Sequence, residues 1–241
     1  MLLYLGGVDG ELLRTNASFP PYYFWTLIRY GGAQAGNGLA DVLFGDVAPS
    51  ARLPFTVFKS LDQMKAMEDY DLTTQPGRTH LYYDNSSVAK FGAPQYWFGY
   101  GLGYSTFAFS RMTLFARAGC AATAMVTVTN TGKVASREVA QLYLSRPVPP
   151  TGVPMAPWAL KGYERTALLA PGASVPLTFN LTPHDLSTVL NGGGRVIPAG
   201  AYTVKIGGSN PRDPRAPASP AAASLVFGGG CPNPGKGQMH Q

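Results

Sequence analysis

The spacing of apolar positions divides the chain into two stretches. Near the start, Leu2–Leu5 and Tyr22–Tyr30 (YYFWTLIRY) are apolar runs of strand length, separated by a polar connection long enough for a helix. After Tyr30 comes the glycine-rich run from Gly31 to Gly38. Leu39, Val42 and Leu43 follow at i, i+3 and i+4, a spacing that predicts a helix stopped by Gly45. Strand, glycine-rich loop, helix is the order found in a parallel α/β sheet. Two such units cannot cover both faces of a parallel sheet, so residues 1–59 are expected to be the incomplete end of an α/β domain. Pro49, Pro54 and the charged stretch Met64–Asp71 then break the periodicity. Residues 60–103 are expected to form an extended linker draped over another surface, because structureless segments of that length are uncommon inside compact domains.

From Tyr104 the pattern changes to short alternating runs bounded by turn residues. Met125–Thr129 ends at Asn130-Thr131-Gly132, and Glu138–Leu144 ends before the proline-rich loop Pro147–Pro154. Val175, Leu177, Phe179 and Leu181 are expected to share one face of a strand, and Pro198-Ala199-Gly200 leads into another at Tyr202–Ile206. Strands at this spacing predict a mainly β protein, with an immunoglobulin-type two-sheet sandwich over residues 104–208. Residues 209–241 read as a Pro/Ala/Gly-rich tail, with a short strand at 224–227 and disorder beyond.

Composition agrees with that picture. Of 241 residues, 29 are Gly and 21 are Pro while only 13% are charged, which suits a turn-rich β fold better than a helical bundle. No apolar run is long enough to span a membrane, so no membrane partner is expected. Met1–Leu5 lacks a basic flank and reads as a strand rather than a secretory leader. The net charge of +6 is uneven: residues 1–103 hold 7 basic and 9 acidic side chains, and residues 104–241 hold 12 and 4. Those later basic residues are scattered singly, which argues for a diffuse solvated surface and against nucleic acid as a partner.

Candidate chemistry is sparse. Gly36-Asn37-Gly38 is followed three residues on by Asp41 rather than glycine, and no Gly-Lys-Ser/Thr closes a phosphate loop, so no nucleotide cofactor is expected. His80, His184 and His240 lie too far apart in sequence for a metal motif, and no catalytic serine elbow occurs. Met64–Asp71 gathers three carboxylates but lacks the glycine and terminal glutamate of a calcium loop; it reads as a solvated linker. Cys120 and Cys231 are too few for a disulfide framework, and their pairing stays open. Asn16, Asn85 and Asn180 begin N-x-S/T triplets and are glycosylation candidates in a secreted protein.

Several motifs, in order, resemble glycoside hydrolase family 3. Residues 27–58, with GGAQAGNGLADVLFGDVAPSARLPFTV, are similar to the end of that family's α/β sandwich domain. Pro76–Tyr83 (PGRTHLYY) and Phe98–Phe107 (FGYGLGYSTF) resemble the segments that follow it. Val126–Gly132, Glu138–Leu144, Leu160–Arg165, Pro171-Gly172, Asp185–Ser187 and Gly200–Tyr202 line up with its C-terminal fibronectin type III-like domain. Leu2–Asp9 and the "PGRT" segment lean towards the β-xylosidase branch, with β-glucosidases sharing most of the rest. Ala51 and Gly103 depart from the family's usual Gly and Ser.

The resemblance implies an exo-acting, extracellular β-glycosidase whose nucleophilic Asp sits in a (β/α)₈ barrel and whose acid/base Glu lies in an "E-G-x-D-R"-like motif. Retaining hydrolysis needs both carboxylates. These residues match neither position, and Glu11, just after "GGVD", is misplaced for the role. The chain is therefore expected to be the C-terminal portion of such an enzyme, a truncated product or a piece of a longer chain. It would be inactive alone, its partners being the barrel and the rest of the α/β domain in cis, and the parent's carbohydrate substrate. The competing reading is a stand-alone fibronectin type III-like module that binds carbohydrate or protein through exposed aromatics such as Trp97 or Trp158.

Overall fold

The computed structural model describes residues 33–149, 152–214, 221–228 and 231, together with the backbone of two short strands, β1 (Leu3–Leu5) and β2 (Thr26–Ile28). The β1–β2 pair is antiparallel, with Leu3 opposite Ile28, which corrects the parallel arrangement expected for these runs. Among the described residues this pair joins no other strand, and the antiparallel ladder is the more stable per residue. Helix α1 (Ala35–Leu43) follows, its Val42 buried and its Leu43 and neighbouring Phe44 exposed.

The bulk of the protein is a sandwich of two antiparallel sheets. One sheet has three strands in the order β3 (Phe107–Arg117), β4 (Ala121–Asn130), β7 (Ser174–Leu181). The other has four strands in the order β11 (Ala221–Phe227), β10 (Gly200–Gly207), β5 (Val139–Ser145), β6 (Ala159–Arg165). Alternation decides what lies between them: β4 turns in Ala122, Ala124, Val126 and Val128, and β7 turns in Leu177, Phe179 and Leu181. Ala140, Leu142 and Leu144 face them from β5, and Tyr202, Val204 and Ile206 from β10. Leu142 and Leu144 are fully enclosed, and burial of each contributes about 1.5–3 kcal/mol.

Strand β3 was not legible because its alternation is broken by a bulge between Ser110 and Thr113, where Arg111 adopts a left-handed backbone (φ 51°). Between β7 and β10 the chain forms a short helix α4 (Pro183–Leu186) and a small hairpin, β8 (Thr188–Val189) with β9 (Arg195–Val196). Thr182 and Asp185 cap α4 reciprocally, each side chain bonding the other's backbone N–H.

Two expectations are corrected in the regions flanking the sandwich. Residues 60–103 are a packed layer rather than an extended linker. They contain a 3₁₀ turn (Leu61–Gln63) and helices α2 (Thr79–Tyr82) and α3 (Asn85–Phe91), the latter capped by Asp84. Gln63 is buried and its amide donates to the carbonyls of Phe91, Gly92 and Ala93, which ties the two ends of the layer together. The second correction concerns the tail. Its strand runs the full length of Ala221–Phe227 and pairs with all but one residue of β10, while Ser209, Asn210 and Asp213 are buried. Small residues at 221–224 hid the strand from a reading based on apolar bulk, but a sheet edge needs backbone pairing more than large side chains.

Cys120, in the turn between β3 and β4, is bonded to Cys231 just beyond β11. The two-cysteine question left open by the sequence is thereby answered.

Candidate functional site

Two places bring polar groups together where the parts of the fold meet. The first is the seam between the end of the α/β segment and the sandwich. Leu53 N–H donates to the Tyr100 carbonyl (2.8 Å), Gly99 N–H to the Leu53 carbonyl (2.8 Å), and Val57 and Tyr96 exchange backbone bonds, so residues 53–57 and 96–100 run side by side. Beside this ladder the Arg52 guanidinium is ion-paired with Glu138, and both side chains are nearly closed to solvent, at 11% and 4% exposure. Glu138 also accepts from Val139 N–H (2.9 Å). Burial pushes its carboxyl up from the usual range, and Arg52 pulls it back. A Cβ on Gly101 would collide with the Ala51 carbonyl at 2.4 Å and with Arg52, so glycine there makes room for the pair.

Nearby, a cleft of about 310 Å³ separates α1 from the sandwich, with Asp41, Val42 and Ser50 on one wall and Val139 and Arg165 on the other. Arg165 donates to Ser50 Oγ at 2.7 Å. Among the described residues that line it the cleft has one carboxylate, Asp41, where glycosidic hydrolysis needs two flanking acids.

The second place is the outer face of the four-stranded sheet, where the 60–103 layer is clasped. Gln141 on β5 donates to the carbonyls of Gly99 and Gly208 (3.0 Å each) and accepts from the Tyr143 hydroxyl (2.7 Å). Arg212 reaches over the Trp97 ring and donates to the carbonyls of Tyr83 and His80. Burial, opposed by the nearby Asp84 and Tyr143, brings the Arg212 guanidinium down to about 10, still charged at neutral pH. His80 stacks on Phe98 with ring centroids 3.8 Å apart. Burial and then the charge of Arg212 hold its imidazole down to about 4.

That shift has a stability consequence. In the unfolded chain His80 titrates near its ordinary value of about 6.5. The folded state therefore binds fewer protons between that value and about 4. The His80 contribution is complete above about pH 6.5 and is lost as the pH falls towards 4. Discounted for partial solvent screening, the loss is expected to be about 1–2 kcal/mol. Denaturant midpoints measured between pH 7 and 4.5 check it: the slope is expected to flatten in His80→Gln, and an unchanged slope would assign it to other groups.

Four further carboxylates hold local structure. Asp84 caps α3, Asp185 caps α4, Asp71 folds its own loop by accepting from Thr73 and Thr74, and Asp69 pairs with Lys65 at 3.0 Å. The Met64–Asp71 stretch is solvated as expected, with most of its residues exposed, but it is an ordered turn, held further by Arg78 donating to the carbonyls of Ala66 and Asp69. Among the described residues no three His, Cys, Asp or Glu side chains come together in a way that could hold a metal. His184 lies in α4, far along the chain from His80; Glu11 and His240 lie outside the described residues.

Of the glycosylation candidates, Asn85 is exposed at the first position of α3, and Asn180 is exposed on β7, where its Oδ1 accepts from Thr123 (3.0 Å). Asn16 lies outside the described residues. Trp97, offered by the sequence as an exposed binding aromatic, is only 2% exposed beneath Arg212, which corrects that assignment; Trp158 is half-buried under Lys205. Sequence reasoning missed the Arg52–Glu138 pair and Arg212 altogether. Their partners lie 86 and about 130 residues away, and no local signal marks them.

A two-sheet antiparallel sandwich clasped by the layered segment that precedes it is the immunoglobulin-type architecture expected from the alternating runs. Comparison with known proteins agrees. A model of the glycosyl hydrolase family 3 C-terminal domain matches residues 26–104, and one of the fibronectin type III-like domain matches residues 138–210. Beta-glucosidase cel3A of Pyricularia oryzae is 35% identical over 207 residues, covering 74% of this chain and 27% of its own length. Among solved structures, the beta-D-glucoside glucohydrolase from Trichoderma reesei superposes with a TM-score of 0.67 at 29% identity, over 81% of this chain and 29% of that one. Beta-glucosidase 3B from Thermotoga neapolitana does so with a TM-score of 0.69 at 28% identity, over 84% and 28%. The chain belongs to glycoside hydrolase family 3, of which it carries the C-terminal region with its fibronectin type III-like domain. It spans about a quarter of the length of the relatives it matches.

Proposed function

We propose that this chain is the supporting C-terminal region of a secreted family 3 exo-β-glucosidase, whose catalytic carboxylates lie in sequence outside residues 1–241. The observation that carries the reading is the fate of the acids described above. Glu138 is spent on Arg52, Asp84 and Asp185 on helix caps, and the cleft beside α1 has one carboxylate where two are needed. The exposed Leu43 and neighbouring Phe44 of α1 are apolar side chains that a complete α/β domain would cover. The named relatives favour glucose over xylose as the released sugar, against the lean of the N-terminal motifs. The Cys120–Cys231 bond supports maturation in an oxidising compartment, and hence export.

The purified chain is expected to show no turnover of aryl β-glucosides or β-xylosides, and to raise neither rate nor stability when mixed with glucose. Hydrolysis that disappears on substitution of a single carboxylate within residues 1–241 would overturn the proposal.

A further inference from the structure

The basic residues of the second half look scattered in sequence, but two of them converge on Ser187, the buried residue that ends α4, and a third lies close to that pair. The Arg146 guanidinium, just after β5, donates to the Ser187 carbonyl, and Arg195 on β9 donates to Ser187 Oγ at 3.0 Å. Lys161 sits at the bulge of β6, where the β5–β6 register slips between Leu142 and Tyr143, and it is close enough to feel the charges of both arginines. All three side chains are half-buried.

Their charges are poorly compensated. Among the described residues none of the three makes an ion pair, and the Lys161 ammonium has no hydrogen-bond acceptor. The Arg146 Nε is buried without a partner. The carboxylate that reaches them is Asp185, but its Oδ2 already accepts from Thr182 N–H (2.9 Å) and Thr182 Oγ1 (2.6 Å). Burial and then the charge of Arg146 push the Lys161 ammonium down, while Asp185 acts in the opposite sense. Fork-shaped guanidinium donors beside a lysine are the side chains suited to a small oxyanion.

We propose that Arg146, Lys161 and Arg195 form a binding site for a single oxyanion, a sulfate, a phosphate or the carboxylate of an acidic sugar. The site does not depend on the catalytic reading of the chain. Arg146 fixes the floor through Ser187, while Lys161 and the free donors of Arg195 supply the contacts to the ligand.

Titration calorimetry and thermal melting of the full 241-residue chain test this, with sodium sulfate, sodium phosphate and sodium glucuronate each set against sodium chloride of equal ionic strength and against glucose. Saturable binding of at least one oxyanion below about 10 mM is expected, with a rise in melting temperature that neither chloride nor glucose reproduces. Lys161→Met and Arg195→Gln are expected to weaken it about tenfold each, whereas Lys161→Arg retains it and Lys133→Gln, at an exposed lysine elsewhere, leaves it unchanged. Preference for glucuronate would identify the carboxylate of an acidic sugar as the ligand, and preference for sulfate or phosphate a free inorganic ion. Absence of saturable binding to all three, or equal affinity in folded Lys161→Met and Arg195→Gln, would overturn the proposal.

Discussion

Replacing Cys120 and Cys231 together by serine is expected to lower the stability of the sandwich by about 3–5 kcal/mol, a fall of roughly 10–15 °C in melting temperature for a chain of this size. The bond spans a sequence separation of 111, close to the loop length for which chain entropy alone predicts about 4.7 kcal/mol. Geometry adds a local effect. The bond fastens the end of β11 to the β3–β4 turn, and β11 lies against β3, so the tie closes the side of the sandwich where the two sheets meet. Without it, Ala221–Phe227 retains its ladder to β10 and a modest apolar face of Ala221, Leu225 and Phe227 packed on the core. Hydrogen exchange is the discriminating measurement: amides of Ala221–Phe227 should lose protection before those of β4 and β5. A double serine variant that melts within 2 °C of the parent, taking roughly 3 °C per kcal/mol as the scale, would show that the edge strand holds without its anchor.

The second large effect lies at the seam. Arg52→Ala is expected to cost about 3–5 kcal/mol, because it strands the Glu138 carboxylate in a site only 4% exposed. Replacing both partners by apolar residues of similar size, Arg52→Met with Glu138→Leu, should recover most of the loss, since desolvating the ions offsets much of what their attraction contributes. Chemical denaturation of the single and double variants, analysed as a cycle, gives the coupling. A cycle in which the double variant is as unstable as Arg52→Ala would show that the seam depends on the ion pair for its geometry. In that case Gly101 and the residue 53–57 ladder would follow Arg52 out of place.

Legibility followed the range of the interactions. Strands β4, β5, β7 and β10 could be read because period-two alternation is written locally, residue by residue, and α1 because Leu39, Val42 and Leu43 share a face. Family membership was readable too, because its motifs are short and ordered. Strand β3 was hidden by a bulge, and β11 by small side chains whose contribution is backbone pairing. The layer over β5 was unreadable for a different reason. Its stability comes from Gln63, Gln141 and Arg212 capping carbonyls that lie tens of residues away, and a polar residue in a loop looks the same in sequence whether it faces water or a buried carbonyl. The cation cluster at Ser187 escaped likewise, since Arg146, Lys161 and Arg195 come from three separate strands and turns.

The layer also bears on how this sandwich travels in evolution. Domains of the immunoglobulin type are often regarded as beads that can be shuffled between proteins, each sealed by its own two sheets. Here the outer face of β5 presents the fully enclosed Tyr143, bonded to Gln141, and Gln141 in turn donates to Gly99 in the layer before the sandwich and to Gly208 just after β10. A bead cut at Tyr104 would carry an open wound of aromatic and amide groups, so inheritance should keep the wrapping and the sandwich together.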